Sequence, residues 1–466
     1  MSASQPLQIP TTLVQAGPKP RKGRTLILCF DGTSNRFDTD DKNTNVVLLF
    51  SMLEKNKPDQ QLVYYQTGIG TYTPSGLISR IGQKVARALD EAFAWYLEDH
   101  VIGGYKFLMD TYQEGDKICL FGFSRGAYTA RALAAMIHRV GLLPARNVEQ
   151  VPFAYKIFKD SQKEIAIKMK DPDDRRGKIS GGFKNTFSRR VKVEFVGIWD
   201  TVASVGFIPR SLPNTSTNLS VKHVRHALAL DERRAKFKAS YWNPPREAQT
   251  TVELPQDDQV FKKNLDDGKQ TVEEVWFAGG HGDVGGGWEV WYQEVQLARI
   301  PFRWMLREAM ECVPDILWHE KTLDRYDVRK PDLNDPVAVQ KYVEREQGDA
   351  KAKFHSAFKE AKRWYLWQFL EVLPLLKTTP FWGYKIQWFH RPNWWSPRKV
   401  RESTADRPQR IQVHSSVWTR IHHHPEGYES AVTLDPSRTD YVDGWALPKT
   451  DKDGKPMPPV PGNLVP

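Results

Sequence analysis

With 466 residues, 40% hydrophobic and 12% aromatic, the chain is a globular protein with enough material for one large α/β domain with additions, or for two domains. Its formal net charge of +11 fits an acidic associate such as anionic lipid or an acidic partner; no nucleic-acid module accompanies the charge, so nucleic acid is not expected. Three cysteines, Cys29, Cys119 and Cys312, are too few for a disulfide framework, and no stretch has the apolarity of a signal peptide or a membrane span, so the chain reads as cytoplasmic, or as exported without a cleaved signal.

Residues 1–22 are polar and proline-containing and read as a disordered tail. A strand is expected at 25–30 (TLILCF), ending in Asp31-Gly32-Thr33, and a first crossover helix at 43–53. A second strand at 62–66 is followed by helical periodicity over 80–113. The next strand is the apolar run Ile118 to Phe121, and behind it Ala127, Ala130, Ala132, Leu133, Ala134, Ala135 and Met136 have the spacing of a buried helix. Between them lies Gly122-Phe123-Ser124-Arg125-Gly126, a G-x-S-x-G turn whose glycines permit a sharp strand-to-helix bend with Ser124 at its tip.

Residues 146–190 read as an insertion ending in a basic, solvated loop. A strand at 192–199 ends in Asp200, the stretch 223–237 reads as helical, and a strand at 274–278 ends in the glycine-rich run that carries His281. Strand and helix alternation predicts a doubly wound, mostly parallel sheet with helices on both faces and helical insertions. The domain organisation follows as a catalytic domain over 23–320, a helical and aromatic extension over 321–447 packed on or capping it, and a proline-rich tail over 448–466.

Three strand ends thus deliver Ser124, Asp200 and His281, in the chain order of an α/β-hydrolase triad. A serine hydroxyl needs a base, and that base needs an acceptor that fixes its tautomer, so the roles follow as nucleophile, acid and base respectively. The oxyanion donors would be the N–H of Arg125 and an N–H from Gly32 or Thr33. Asp31, Asp283 and Trp288 are candidates for substrate contacts; His414 is the alternative base if the last segment returns to the sheet edge, and His223 and His226 read as structural. Phe30-Asp31-Gly32-Thr33 departs from the D-x-D-G-T phosphatase loop because Cys29 stands where its nucleophile belongs. The glycine pairs complete neither G-x-G-x-x-G nor a P-loop, and Asp38, Asp40 and Asp41 miss the calcium-loop spacing, so neither cofactor nor metal is expected.

The blocks FDGTSN (30–35), GIGT (68–71), GFSRGAYTAR (122–131), GIWDTVASVG (197–206), ALDERRAKF (229–237) and WFAGGHGDVGGGW (276–288) resemble, in order, those of the domain-of-unknown-function family 2235, which includes catalytic domains of bacterial type VI secretion phospholipase effectors and many fungal proteins. The resemblance covers roughly residues 24–310 and implies an α/β-hydrolase fold with Ser124, Asp200 and His281 as triad. It implies a serine hydrolase acting on a lipid or phospholipid ester, in a chain whose long insertions look like the fungal branch. A catalytically idle hydrolase-fold protein, binding at membranes or to a protein partner, is the alternative.

Beyond this region Trp364, Trp367, Trp382, Trp388, Trp394 and Trp395 alternate with Lys and Arg. Two readings stand for 364–399: an interfacial patch that docks on an anionic lipid surface, or a lid or extra core layer over the sheet.

Overall fold

The computed structural model describes residues 23–32, 42–68, 82–170, 178–202, 212–216, 218–234, 237–242, 270–288, 295–332, 334–355, 375–381, 384–390, 398, 411–423, 428, 430, 432, 434 and 439–442. For 82–96, 165–166, 168–170, 375–381, 384–390 and 423 it describes backbone alone. Both expected tails lie outside these residues, as do Thr33 and all the tryptophans of 364–399 except Trp388, of which only the backbone is described.

Continuous apolar runs with almost every residue buried make the centre of the sheet: β1 (Thr25–Phe30), β3 (Lys117–Phe123) and β4 (Val193–Trp199). They join β2 (Gln61–Gln66), β5 (Val221–Ala229), β6 (Thr271–Phe277), β9 (Ile411–His414) and β10 (Thr439–Val442) in one eight-stranded sheet of order β10-β9-β6-β5-β4-β3-β1-β2. Every pairing in it is parallel. A separate antiparallel hairpin pairs β7 (Leu375–Phe381) with β8 (Tyr384–His390).

Helices cover both faces. Alternate residues of each strand divide between the two layers, as the two-residue period of a strand requires. Leu26, Leu28, Phe30, Ile118 and Leu120 pack with α2 (Gly82–Thr111), α3 (Arg125–Val140), α4 (Val151–Lys170) and α5 (Ile179–Phe187). Ile27, Cys29, Cys119 and Phe121 face α1 (Asn45–Met52), α6 (His281–Gly285), α7 (Arg299–Cys312), α8 (Glu320–Arg325) and the end of α9 (Pro336–Ala350). A smaller cluster joins β5, β6 and β9 to α10 (Ser415–His423).

The chain winds from β1 outward to β2, then returns past β1 to β3 and builds the sheet the other way. Strand order therefore reverses between β1 and β3, and such a switch point opens a crevice beyond the carboxyl ends of the strands.

Three expectations need correction. Residues 223–229 belong to strand β5, not to a helix: Ala, Leu and Arg favour helix intrinsically, but flanking strands β4 and β6 take up the backbone donors and acceptors of this segment on both sides. The basic stretch read as a solvated loop contains α5, which seats Phe183 in the core. The segment read as an extension over 321–447 also completes the sheet, since β9 and β10 come from it.

Candidate active site

Ser124 occupies the turn between β3 and α3 with φ 58° and ψ −118°, a conformation costly for a residue with a Cβ. The surroundings enforce it. A Cβ on Gly126 would lie 2.2 Å from the carbonyl oxygen of Phe30 and 2.4 Å from that of Asp31, so α3 can approach the end of β1 only through a glycine. A Cβ on Gly122 would meet the Gly126 carbonyl at 2.6 Å. Elbow and switch point coincide.

A ladder of backbone bonds then aligns successive strand ends. Ser124 N donates to Trp199 O at 3.0 Å, and Asp200 N to Ala227 O at 2.7 Å. Leu230 N donates to Phe277 O at 3.0 Å, and Asp231 N to Gly279 O at 3.0 Å. Asp200 shares the strained, positive-φ backbone of Ser124, with φ 41°. Residues separated by 81 and 157 positions are thereby brought into contact: His281 Nδ1 lies 2.6 Å from Asp200 Oδ2, and His281 Nε2 lies 2.8 Å from Ser124 Oγ. An ionised Asp200 can only accept, so Nδ1 carries the proton and Nε2 is left to accept from the serine hydroxyl.

His281 starts α6, whose first turn is fastened by Asp283: its Oδ2 accepts from Gly280 N at 2.9 Å, and Glu232 Oε2 accepts from His281 N at 3.3 Å. The imidazole packs between Phe123, with ring centroids 4.6 Å apart, and Phe237, at 4.8 Å edge-on. Burial pushes its pKa below the ordinary histidine value, with Asp200 pulling the other way.

Asp200 is fully buried. Burial opposes its ionisation, but the charge of Arg398 together with hydrogen bonds from His281 and Arg398 outweighs this and holds the carboxyl well below the usual range. Oδ1 also accepts from Ala229 N at 3.0 Å. Behind it, Thr201 N donates to His226 Nε2 at 3.1 Å, so His226 is the Nδ1-protonated tautomer and donates to Glu274 Oε1 at 2.8 Å. His226 is structural, but in a strand.

The remaining candidates fall in three places. Arg125 opens α3, which puts its N–H in the first turn of that helix, beside Ser124. Gly32 N donates to Asp31 Oδ1 at 2.6 Å, and that carboxylate also accepts from Thr44 Oγ1 at 2.9 Å and Tyr65 Oη at 2.8 Å, so Asp31 ties the end of β1 to β2 and to the N-cap of α1. Burial pushes the Asp31 pKa up to about 6, the three hydrogen bonds opposing it. Asp283 is likewise turned to protein, accepting from His355 Nδ1 at 2.8 Å, and Trp288 stacks on His355 at 5.7 Å, so both brace the His281 helix from behind. His414 does return to the sheet edge in β9, where its Nδ1 meets Ser416 Oγ at 2.9 Å and its ring lies on Phe277; the ring nitrogen at Ser124 is that of His281.

Arg398, Glu232, His226 and His355 were not among the residues expected at the site. Glu232, Arg234 and Phe237 sit in the block ALDERRAKF, which was a signal; Arg398 and His355 carried none. Among the described residues no cluster of His, Cys, Asp and Glu is arranged to hold a metal ion, and no helix is long and apolar enough to cross a membrane.

A parallel sheet with this elbow at its switch point defines an α/β-hydrolase-like protein. Residues 24–308 match the family described as the catalytic domain of Tle1-like phospholipase effectors of the T6SS, and the chain belongs to that family. It is 40% identical over 235 residues to an uncharacterized protein of Saccharomyces cerevisiae, YEL023C, a match covering 48% of this chain and 33% of that protein; the chain thus spans about a third of its relative's length. Among solved structures it is similar to the Tle1 effector bound to the VgrG spike of the type 6 secretion system (15% identity, 84% of this chain, 94% of that chain, TM-score 0.36). It is also similar to an uncharacterized protein from Pseudomonas aeruginosa (18% identity, 71% of this chain, 51% of that chain, TM-score 0.33).

Proposed function

We propose that the chain is a serine hydrolase of carboxylic esters, acting on lipid or phospholipid through an acyl-enzyme on Ser124. The carrying observation is the hydrogen-bonded relay from Ser124 Oγ to His281 at 2.8 Å and from His281 to Asp200 at 2.6 Å. The substrate class is supported by the phospholipase description of the family.

Ser124 Oγ attacks the ester carbonyl while Nε2 of His281 takes its proton, and Asp200 stabilises the imidazolium through Nδ1–H. The N–H of Arg125 donates to the oxyanion. The second donor comes from Gly32 or Thr33, and for Gly32 to serve, its amide must leave the Asp31 carboxylate. Collapse of the tetrahedral adduct expels the alcohol, which receives the proton from His281. Water, deprotonated by the same imidazole, then releases the acid and regenerates Ser124.

The test is labelling by a fluorophosphonate probe together with hydrolysis of a panel of simple esters, phospholipids and amides. Wild type should label and should cleave esters and phospholipids, and Ser124→Ala should do neither. Equal labelling of the two proteins, or ester cleavage that survives the substitution, sinks the reading.

A further inference from the structure

One side chain from beyond residue 308, the limit of the family match, reaches the proposed acid. Arg398 donates from Nη1 to Asp200 Oδ1 at 2.5 Å and from Nη2 to Oδ2 at 2.9 Å. The rest of the guanidinium is occupied by backbone: Nε donates to Phe237 O at 2.9 Å, Nη1 to Ala229 O at 3.0 Å, and Nη2 also to Phe237 O. Its side chain is 3% exposed and that of Asp200 0%, so the pair is desolvated and held in one geometry.

A planar guanidinium fork on a buried carboxylate has two effects on an imidazole bonded to the same carboxylate. It fixes the rotation of the carboxylate, so that Oδ2 stays aimed at Nδ1. It also places positive charge near the ring, which limits how strongly the carboxylate holds the imidazolium.

We infer that Arg398 is a positioning residue of the active site: it locks the orientation of Asp200 and sets the basicity of His281, so that the site is incomplete without the C-terminal segment carrying this arginine. The inference rests on the triad reading above. Among the described residues the other charged groups facing His281 are Glu232, which accepts its backbone N–H at 3.3 Å, and Arg234, paired with Glu232 at 2.7 Å. Asp283, on the same helix, is engaged with His355 at 2.8 Å, and Phe123 and Phe237 bring no charge. Glu232 and Arg234 offset each other, which leaves Arg398 as the cation coupled to the ring through the acid itself.

The test uses the full chain and the pH profile of kcat/KM on a short-chain ester, normalised to sites titrated with a fluorophosphonate. In Arg398→Met the acidic limb should move upward by about one pH unit, because the uncompensated Asp200 now favours the imidazolium, and turnover should fall about tenfold or more. Arg398→Lys keeps the charge but not the fork, so its limb should stay near wild type while turnover drops. In an Asp200→Asn background, Arg398→Met should add no further loss of turnover, since the fork then has no carboxylate to orient, and its upward shift should shrink to the direct effect of removing a cation near the ring. If the Met variant does not fold, Arg398→Gln replaces it and must show the same upward shift. A neutral variant that loses titratable sites but keeps the wild-type limb overturns the inference, since that is what a purely structural arginine would do. Ser124→Ala separates the two claims: ester hydrolysis surviving it removes the triad reading and this inference together, whereas an unmoved limb with Ser124-dependent hydrolysis removes the role of Arg398 alone.

Discussion

Ser124, the proposed nucleophile, and its two proposed partners are held by different physics. Ser124 is placed by sterics: two glycines, a strained backbone and an apolar helix that allow one path for the chain. Asp200 and His281 are placed by buried polar groups drawn from across the chain: Arg398 and Glu232 bond to Asp200 and to the His281 backbone, and His226 and Asp283 to the backbone of the adjoining Thr201 and Gly280, at 2.5–3.3 Å. The steric side needs neighbours only a few residues away, apart from the end of β1. The ionic side is worth more per contact broken, because a buried charge left without its partner keeps its full desolvation cost.

Substitutions can break this contrast in order of expected size. The largest effect is chemical: Ser124→Ala should lower ester turnover by about 10⁴-fold or more, measured under saturating substrate, while urea denaturation shows the fold retained. Next comes Arg398→Met, which takes the guanidinium from a fully buried carboxylate and should cost about 3–5 kcal/mol of unfolding free energy. Gly126→Ala should cost somewhat less, about 3 kcal/mol, by forcing a methyl group against two carbonyls of the β1 end. Were Gly126→Ala the costlier of the two by urea titration, the ranking of ionic over steric placement would be wrong. Asp283→Asn removes the better acceptor for Gly280 N and His355, and about 1–3 kcal/mol is expected, with thermal melting as the readout.

The same division explains what was legible in the sequence. Ser124 could be read because its determinants are contiguous: an apolar run, two glycines and an alanine-rich helix, all within residues 117–140. Asp200 and His281 could be read as strand-end residues, since β4 and β6 are short apolar runs that stop just before them. The supports of the ionic side could not. Arg398 lies 198 positions from Asp200 and His355 lies 72 from Asp283, and neither has a local pattern that sets it apart from a solvated charge. Strand β5 was illegible for a related reason: its Ala, Leu and Arg content argues for helix, and only pairing with β4 and β6 makes it a strand. β9 and β10, four residues each, are too short to declare themselves by alternation.

One ionisable group stands on the steric side, and it gives the smallest and sharpest test. Asp31 is 4% exposed beside the elbow, and burial raises its pKa to about 6 from an ordinary value near 3.8. Between those values the folded state keeps a proton that the unfolded chain has released, so this group makes the fold less stable as pH rises through the window, by up to about 3 kcal/mol in total. Asp31→Asn cannot ionise, while its amide oxygen can still accept from Gly32 N and Thr44 Oγ1. The variant should therefore gain on wild type between pH 4 and pH 7, and all other titrations cancel in the difference. Urea midpoints at pH 4.5 and 7.5 measure it. A difference that is flat with pH would mean that the three hydrogen bonds compensate the burial of this carboxylate, and the nucleophile side would then be steric throughout.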